Sequence, residues 1–98
     1  MKFGLNEKDY QFISDILMPL KNKGAILWCF GSRARGDHKL FSDLDLMVES
    51  HTDFSREIGA INEKLIESSF PFKVDIVQEK DFADSYRAGF MKDRVLFF

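Results

Sequence analysis

Six consecutive apolar residues, Ala25–Phe30 (AILWCF), stand between Gly24 and Gly31. A short continuous run closed by glycine at both ends reads as a central strand covered on both faces. The rest of the chain must then supply covering layers and neighbouring strands.

Both are legible nearby. Leu44–Glu49 (LDLMVE), entered through Ser42-Asp43, alternates clearly. Leu44, Leu46 and Val48 take one face, and Asp43, Asp45 and Met47 take the other. Phe72–Val77 (FKVDIV) is a third strand, reached after Pro71 ends the segment before it. Asn6 caps a first helix with Asp9 as a weak capping-box partner, and Tyr10, Ile13, Leu17 and Leu20 form its buried stripe. Pro19 and Gly24 limit that helix. Thr52 or Asp53 caps another, with Phe54, Ile58, Ile61 and Leu65 on one face. Asp81–Lys92 is expected to be helical despite Gly89, and Val95–Phe98 is either a short last strand or an apolar tail. The order predicts an α/β (α+β) fold, a small mixed sheet packed with helices.

Bulk properties narrow the function. The chain has 98 residues, which predicts one domain over 1–98. With 45% hydrophobic and 31% charged residues it is ordinary for a globular protein. A formal charge of −2 advertises neither a nucleic-acid nor a membrane surface, so direct nucleic-acid binding is not expected. Any phosphate chemistry must come from a local constellation. The single cysteine, Cys29, falls inside the apolar run and reads as a small hydrophobe. No signal-peptide pattern opens the chain and no apolar stretch approaches the roughly 20 residues of a membrane span. A cytoplasmic location is the expectation.

Three features carry the chemistry. Gly31-Ser32 follows the first strand and opens a short helical turn, where glycine allows close backbone approach and unpaired N–H groups can face an anion. Ser32 can donate to a phosphate oxygen, with Arg33 or Arg35 adding charge; equally, Ser32 can be a plain cap and both arginines solvated. Asp43 and Asp45, at i and i+2 on a strand, share one face about 7 Å apart at Cα. Such neighbours repel, and a hard divalent cation relieves the conflict unless both simply face water. Asp75 interrupts Val74–Val77, and a carboxylate in an internal strand is costly unless paired or metal-bound. Beside Leu44–Glu49 it joins the Asp43/Asp45 face; on an edge strand it sits in solvent.

Taken together, a strand, Gly-Ser, an Asp-x-Asp on the next strand and a third Asp on a later one resemble the nucleotidyltransferase superfamily related to DNA polymerase beta. More narrowly, GSRARGDHKLFSDLDLMV followed by VDIV resembles the minimal nucleotidyltransferase (MNT) family, from about Ala25 to Val77. The resemblance implies a palm-like nucleotidyltransferase fold. It implies that Gly31 and Ser32 hold a nucleoside triphosphate, ATP or another, with Arg33 and Arg35 as phosphate contacts and Ser42 within the same nucleotide-binding motif. Asp43, Asp45 and Asp75 are implied to be catalytic and metal-binding, holding two Mg²⁺ ions. The implied reaction is attack of an acceptor hydroxyl on the α-phosphorus, transferring a nucleoside monophosphate.

Other residues read more plainly. His38 and His51 lack metal-ligand spacing and are expected in solvent, as is Lys39, while Trp28, Met18, Met47 and Met91 are expected to pack. After Val77 only 21 residues remain (98 − 77), so the acceptor is expected at an interface or as the partner itself. Members of the resembled family are typically paired with a HEPN-domain protein, often as antitoxin, and some transfer AMP onto a tyrosine of that partner. The apolar end, with Phe90, Met91, Val95, Leu96, Phe97 and Phe98, either forms that contact or completes the protein's own core. The alternative to an enzyme is a non-catalytic nucleotide-binding module that neutralises a HEPN partner by contact; a small-molecule transferase is a weaker third reading. A homo- or hetero-oligomer is compatible with all of these.

Overall fold

Asn6 begins the first helix as its residue type predicts, its side-chain oxygen accepting from the Asp9 N–H at 2.7 Å. In the computed structural model, which describes residues 2–98, α1 spans Glu7–Asn22. Pro19 sits inside it without stopping it. The stop comes at Lys23 and Gly24, whose N–H groups bond the Leu20 and Lys21 carbonyls, Gly24 with φ +94°.

Four strands follow: β1 at Ile26–Phe30, β2 at Leu44–Glu49, β3 at Val74–Gln78 and β4 at Val95–Leu96. Their order across the sheet is β3-β2-β1-β4. β1 runs antiparallel to β2 and β4, whereas β2 and β3 are parallel. Parallel neighbours need a crossover, and α3 (Ser55–Glu67) supplies it. The sheet is mixed and packed with helices, as expected.

One sheet face carries Leu27, Cys29, Leu44, Leu46 and Val48, all buried, against Ile13, Leu17 and Leu20 of α1 and Ile58 and Ile61 of α3. This is the alternation of LDLMVE seen from the core side. The other face of β1 is covered only in part, by α4 (Asp84–Asp93) and the segment before it at Phe30, while Ile26 at the far end is 39% exposed. Phe30, Phe82 and Phe90 meet there edge to face, with ring centres 5.3–5.5 Å apart. The Arg94 guanidinium lies 4.3 Å from the Trp28 ring centre.

Several expectations shift. The third strand starts at Val74 rather than Phe72, and a 3₁₀ turn at Glu79–Asp81 occupies the expected start of the last helix. Neither Thr52 nor Asp53 is the cap residue of α3: Phe54 stands there without a side-chain cap bond, and Asp53, one residue earlier, accepts from the Ser55 N–H at 3.3 Å. Met47 is buried, but Met18 and Met91 are 37% and 52% exposed, because each falls on the outer side of its helix. His51 is exposed, whereas His38 is half-buried. The Phe-rich end divides. Phe90 and Phe97 enter the protein's own core, and Phe97 stacks on Phe3 at 5.2 Å while its carbonyl accepts from Tyr10 Oη at 2.6 Å. Val95 and Leu96 stay exposed. Among the described residues no helix is long and apolar enough to cross a membrane.

Candidate active site

The parallel β2–β3 pairing decides how the carboxylates meet. Its register places Asp45 directly beside Asp75. Adjacent strands lie about 4.8 Å apart and register partners share a face. Asp43, two residues before Asp45 and just outside β2, lies on the same side by alternation and is exposed. On the other flank, the β1–β2 register sets Phe30 opposite Asp45. Gly31, the next residue, therefore arrives against the Asp45 carboxylate. A Cβ at Gly31 would stand 2.6 Å from Asp45 Oδ2, and its φ of +76° with ψ −159° is a conformation essentially reserved for glycine. Both facts demand glycine here.

Electrostatics match this geometry. Burial, then Asp75, then Asp43 push the Asp45 pKa up from the ordinary carboxylate range, with Lys73 opposing. The Lys73 ammonium stands 3.6 Å from Asp75 Oδ1. The donor set fits Mg²⁺ in chemistry, since it is all carboxylate oxygen on one mutually repelling face. As placed, however, no three His, Cys, Asp or Glu side chains among the described residues stand close enough to hold a metal ion. Asp43 and Asp75 are both exposed.

The Gly-Ser stretch contributes unequally. Gly31 precedes the four-residue helix α2 (Ser32–Arg35), which Gly36 closes at φ +88°. Ser32 is half-buried at its start. Arg35 is held at the rim by Asp37 (3.0 Å) and by Asp93 at the end of α4 (2.9 Å). Arg33 departs from both readings open to it, phosphate contact and solvated side chain. It is 2% exposed and turned inward, donating to the carbonyls of Ser42 (2.9 Å), Phe3 (2.9 Å) and Leu40 (3.4 Å). Ser42 closes the loop before β2, its Oγ accepting from the Lys39 N–H at 2.8 Å.

The structure thus brings Gly31, Asp45 and Asp75 together with Asp43 at the open edge, and withdraws Arg33. The inward use of Arg33 has no local signal, because its partners lie up to 30 residues away. A cleft of about 1030 Å³ opens at the opposite end of the sheet, among Ile26, Glu49, Glu79 and Lys80, away from these carboxylates.

Comparison with known proteins agrees with the geometry. A family model described as Nucleotidyltransferase domain matches residues 13–97. Over 63 residues the chain is 35% identical to the probable protein adenylyltransferase MntA of Haemophilus influenzae, covering 62% of this chain and 54% of that protein. The chain thus spans about half the length of that relative. Among solved structures, a toxin–antitoxin with AMP-PNP is similar at TM-score 0.70 and 21% identity, covering 96% of this chain and 73% of that one. A mutant of the toxin–antitoxin MntA–HpeT is similar at TM-score 0.69 and 17% identity, covering 91% and 72%. At these identities the structural likeness concerns the fold. The carboxylates, the glycine that faces them and the match over residues 13–97 converge: the chain belongs to the nucleotidyltransferase domain family and is similar, within it, to MntA-type minimal nucleotidyltransferases.

Proposed function

We propose that the chain transfers a nucleoside monophosphate, AMP from ATP, onto a hydroxyl of a partner protein, as the antitoxin of a toxin–antitoxin pair whose toxin is a HEPN-domain protein. The observation that carries this reading is the meeting of Asp45 with Asp75 across the β2–β3 register, with Gly31 held against them. The names of similar proteins support it: one is a probable protein adenylyltransferase, and another is a toxin–antitoxin with AMP-PNP.

Asp43, Asp45 and Asp75 would hold two Mg²⁺ ions, which when bound neutralise the triphosphate and lower the pKa of the attacking hydroxyl. Gly31, lacking a Cβ, lets the backbone at the start of α2 lie directly against the Asp45 carboxylate. Ser32 and Ser42 offer hydroxyl donors, while Arg35 stands at the rim paired with Asp37 and Asp93. The acceptor oxygen attacks the α-phosphorus, the bond to the bridging oxygen breaks, and pyrophosphate leaves. The hydroxyl proton passes to a carboxylate oxygen on the open face. Orientation and charge compensation supply the rate.

Two observations favour a second reading, a binding module that neutralises its partner by contact. Lys73 already compensates Asp75 at 3.6 Å, and the three carboxylates are not gathered for a metal. Incubation of the chain with its partner toxin, Mg²⁺ and ATP labelled at the α-phosphate separates the two. Label on the partner, reduced about a hundredfold or more in Asp43→Ala with the complex retained, is the enzyme's result. A stable complex that carries no label and ignores Asp43→Ala is the binder's.

A further inference from the structure

We propose that Arg33 is a positioning residue, a buried guanidinium that fixes the entries of the two strands carrying the site carboxylates. The assignment rests on the nucleotidyl-transfer reading of Asp43, Asp45 and Asp75.

The loop between α2 and β2 lacks an apolar anchor. Leu40 and Phe41 are 73% and 76% exposed, and among the loop's other large side chains only His38 is half-buried, beside Gly4 and next to the Arg33 guanidinium. The Lys39–Ser42 turn is closed by the Ser42 N–H to Lys39 carbonyl bond (3.2 Å) and the Lys39 N–H to Ser42 Oγ bond. That turn is joined to the body of the protein by Arg33, which takes the Leu40 and Ser42 carbonyls at 3.4 and 2.9 Å. Ser42 immediately precedes Asp43, so the bond to its carbonyl sets where Asp43 begins.

The same guanidinium reaches the other strand. Its carbon lies 4.1 Å from the centre of the Phe72 ring, and Phe72 leads through Lys73 into β3. The Lys73 carbonyl accepts from the Leu44 N–H at 2.9 Å, between Asp43 and Asp45. One planar cation therefore ties the chain just before Asp43 to the chain just before Asp75. The Phe3 carbonyl, at 2.9 Å, fixes the guanidinium from a third side.

Chemistry explains why the residue is arginine. Three carbonyls in different directions plus a ring face require a rigid fork with a flat surface. Lysine keeps the charge but cannot reproduce that geometry. Loss of groups that orient metal-ligating side chains typically costs 10–100-fold in metal affinity or activity.

The test compares wild type, Arg33→Lys and Ile61→Val, a core change on α3 that controls for lost global stability. Three readouts are taken: Mn²⁺ binding alone by electron paramagnetic resonance, amide exchange at residues 39–45, and the Mg²⁺ and ATP dependence of transfer. Arg33→Lys should weaken Mn²⁺ binding about tenfold, speed exchange at Asp43 and Leu44, and lower kcat more than it raises KM for ATP. Ile61→Val should change none of the three. Wild-type Mn²⁺ affinity and exchange in Arg33→Lys would overturn the proposal. If Arg33→Lys does not fold, Phe72→Leu carries the test, since it removes the ring and leaves the three hydrogen bonds; weaker Mn²⁺ binding supports the proposal and wild-type binding overturns it. If wild type binds no Mn²⁺ and transfers no label, the nucleotidyl-transfer reading falls, and the exchange comparison alone decides whether Arg33 fixes the loop.

Discussion

Replacing Asp45 by asparagine should make this protein more stable in the absence of metal and, on the proposed nucleotidyl-transfer function, should abolish transfer. The carboxylate is half-buried on β2, beside Asp75 in register and two residues after Asp43. Two unit charges about 5 Å apart repel by about 3 kcal/mol at an effective dielectric of 20 and by about 1 kcal/mol in bulk water. Asp75 is exposed and partly compensated by Lys73 at 3.6 Å, which places the repulsion near the lower end. Relief of about 1–2 kcal/mol follows, and for a domain of this size each kcal/mol moves Tm by about 4–8 °C. The sign with pH is set by the raised pKa of Asp45. A folded-state pKa above the unfolded value of about 3.9 means the wild type loses stability as pH rises from there through the folded value. The advantage of Asp45→Asn is therefore greatest above the folded pKa and fades as pH falls through the unfolded value of about 3.9. Urea unfolding with a chelator present, followed by circular dichroism from pH 7 to below that value, measures it. An Asp45→Asn protein no more stable than wild type at pH 7, or equally advantaged at both ends, would refute the reasoning. On the proposed function, a carboxylate that costs stability is the expected trade at a face kept for binding metal.

Two further outcomes follow from the packing. Gly31→Ala should cost about 1–3 kcal/mol from its positive-φ conformation, and should depress transfer further by crowding Asp45; thermal unfolding and the labelling assay read the two effects separately. Phe97→Ala should cost about 3–5 kcal/mol, because the ring is buried and stacked on Phe3, whereas Leu96→Ser, on a half-exposed side chain, should leave Tm nearly unchanged. If Leu96→Ser weakens the complex with the partner toxin, the exposed β4 edge belongs to that interface.

The elements themselves were legible because each carries its own period. AILWCF between glycines, the alternation of LDLMVE and the helical stripe of Tyr10, Ile13, Leu17 and Leu20 each specify a local structure, and all appear in the fold. Where the reading slipped, local signals were weak or ambiguous. The last helix begins at Asp84, after a 3₁₀ turn at Glu79–Asp81, and of the two roles open to the Phe-rich end, Phe97 takes the core one because Phe3 and Tyr10 meet it from the far end of the chain.

The site shows the same division. Period alone puts Asp43 and Asp45 on one face, since alternate residues of a strand must share a side. It does not say which strand lies alongside, and the crossover through α3 is what sets Asp75 against Asp45. Arg33 is the sharper case. A buried charge must be satisfied, but its carbonyl partners at Phe3, Leu40 and Ser42 converge only once the N-terminal segment and the β2 loop have packed together. Sequence by itself determined the first two strands, the approximate third, and the face that Asp43 and Asp45 share. Only tertiary structure decided how the third carboxylate joins them and where the first arginine goes, because both depend on contacts between segments far apart in the chain.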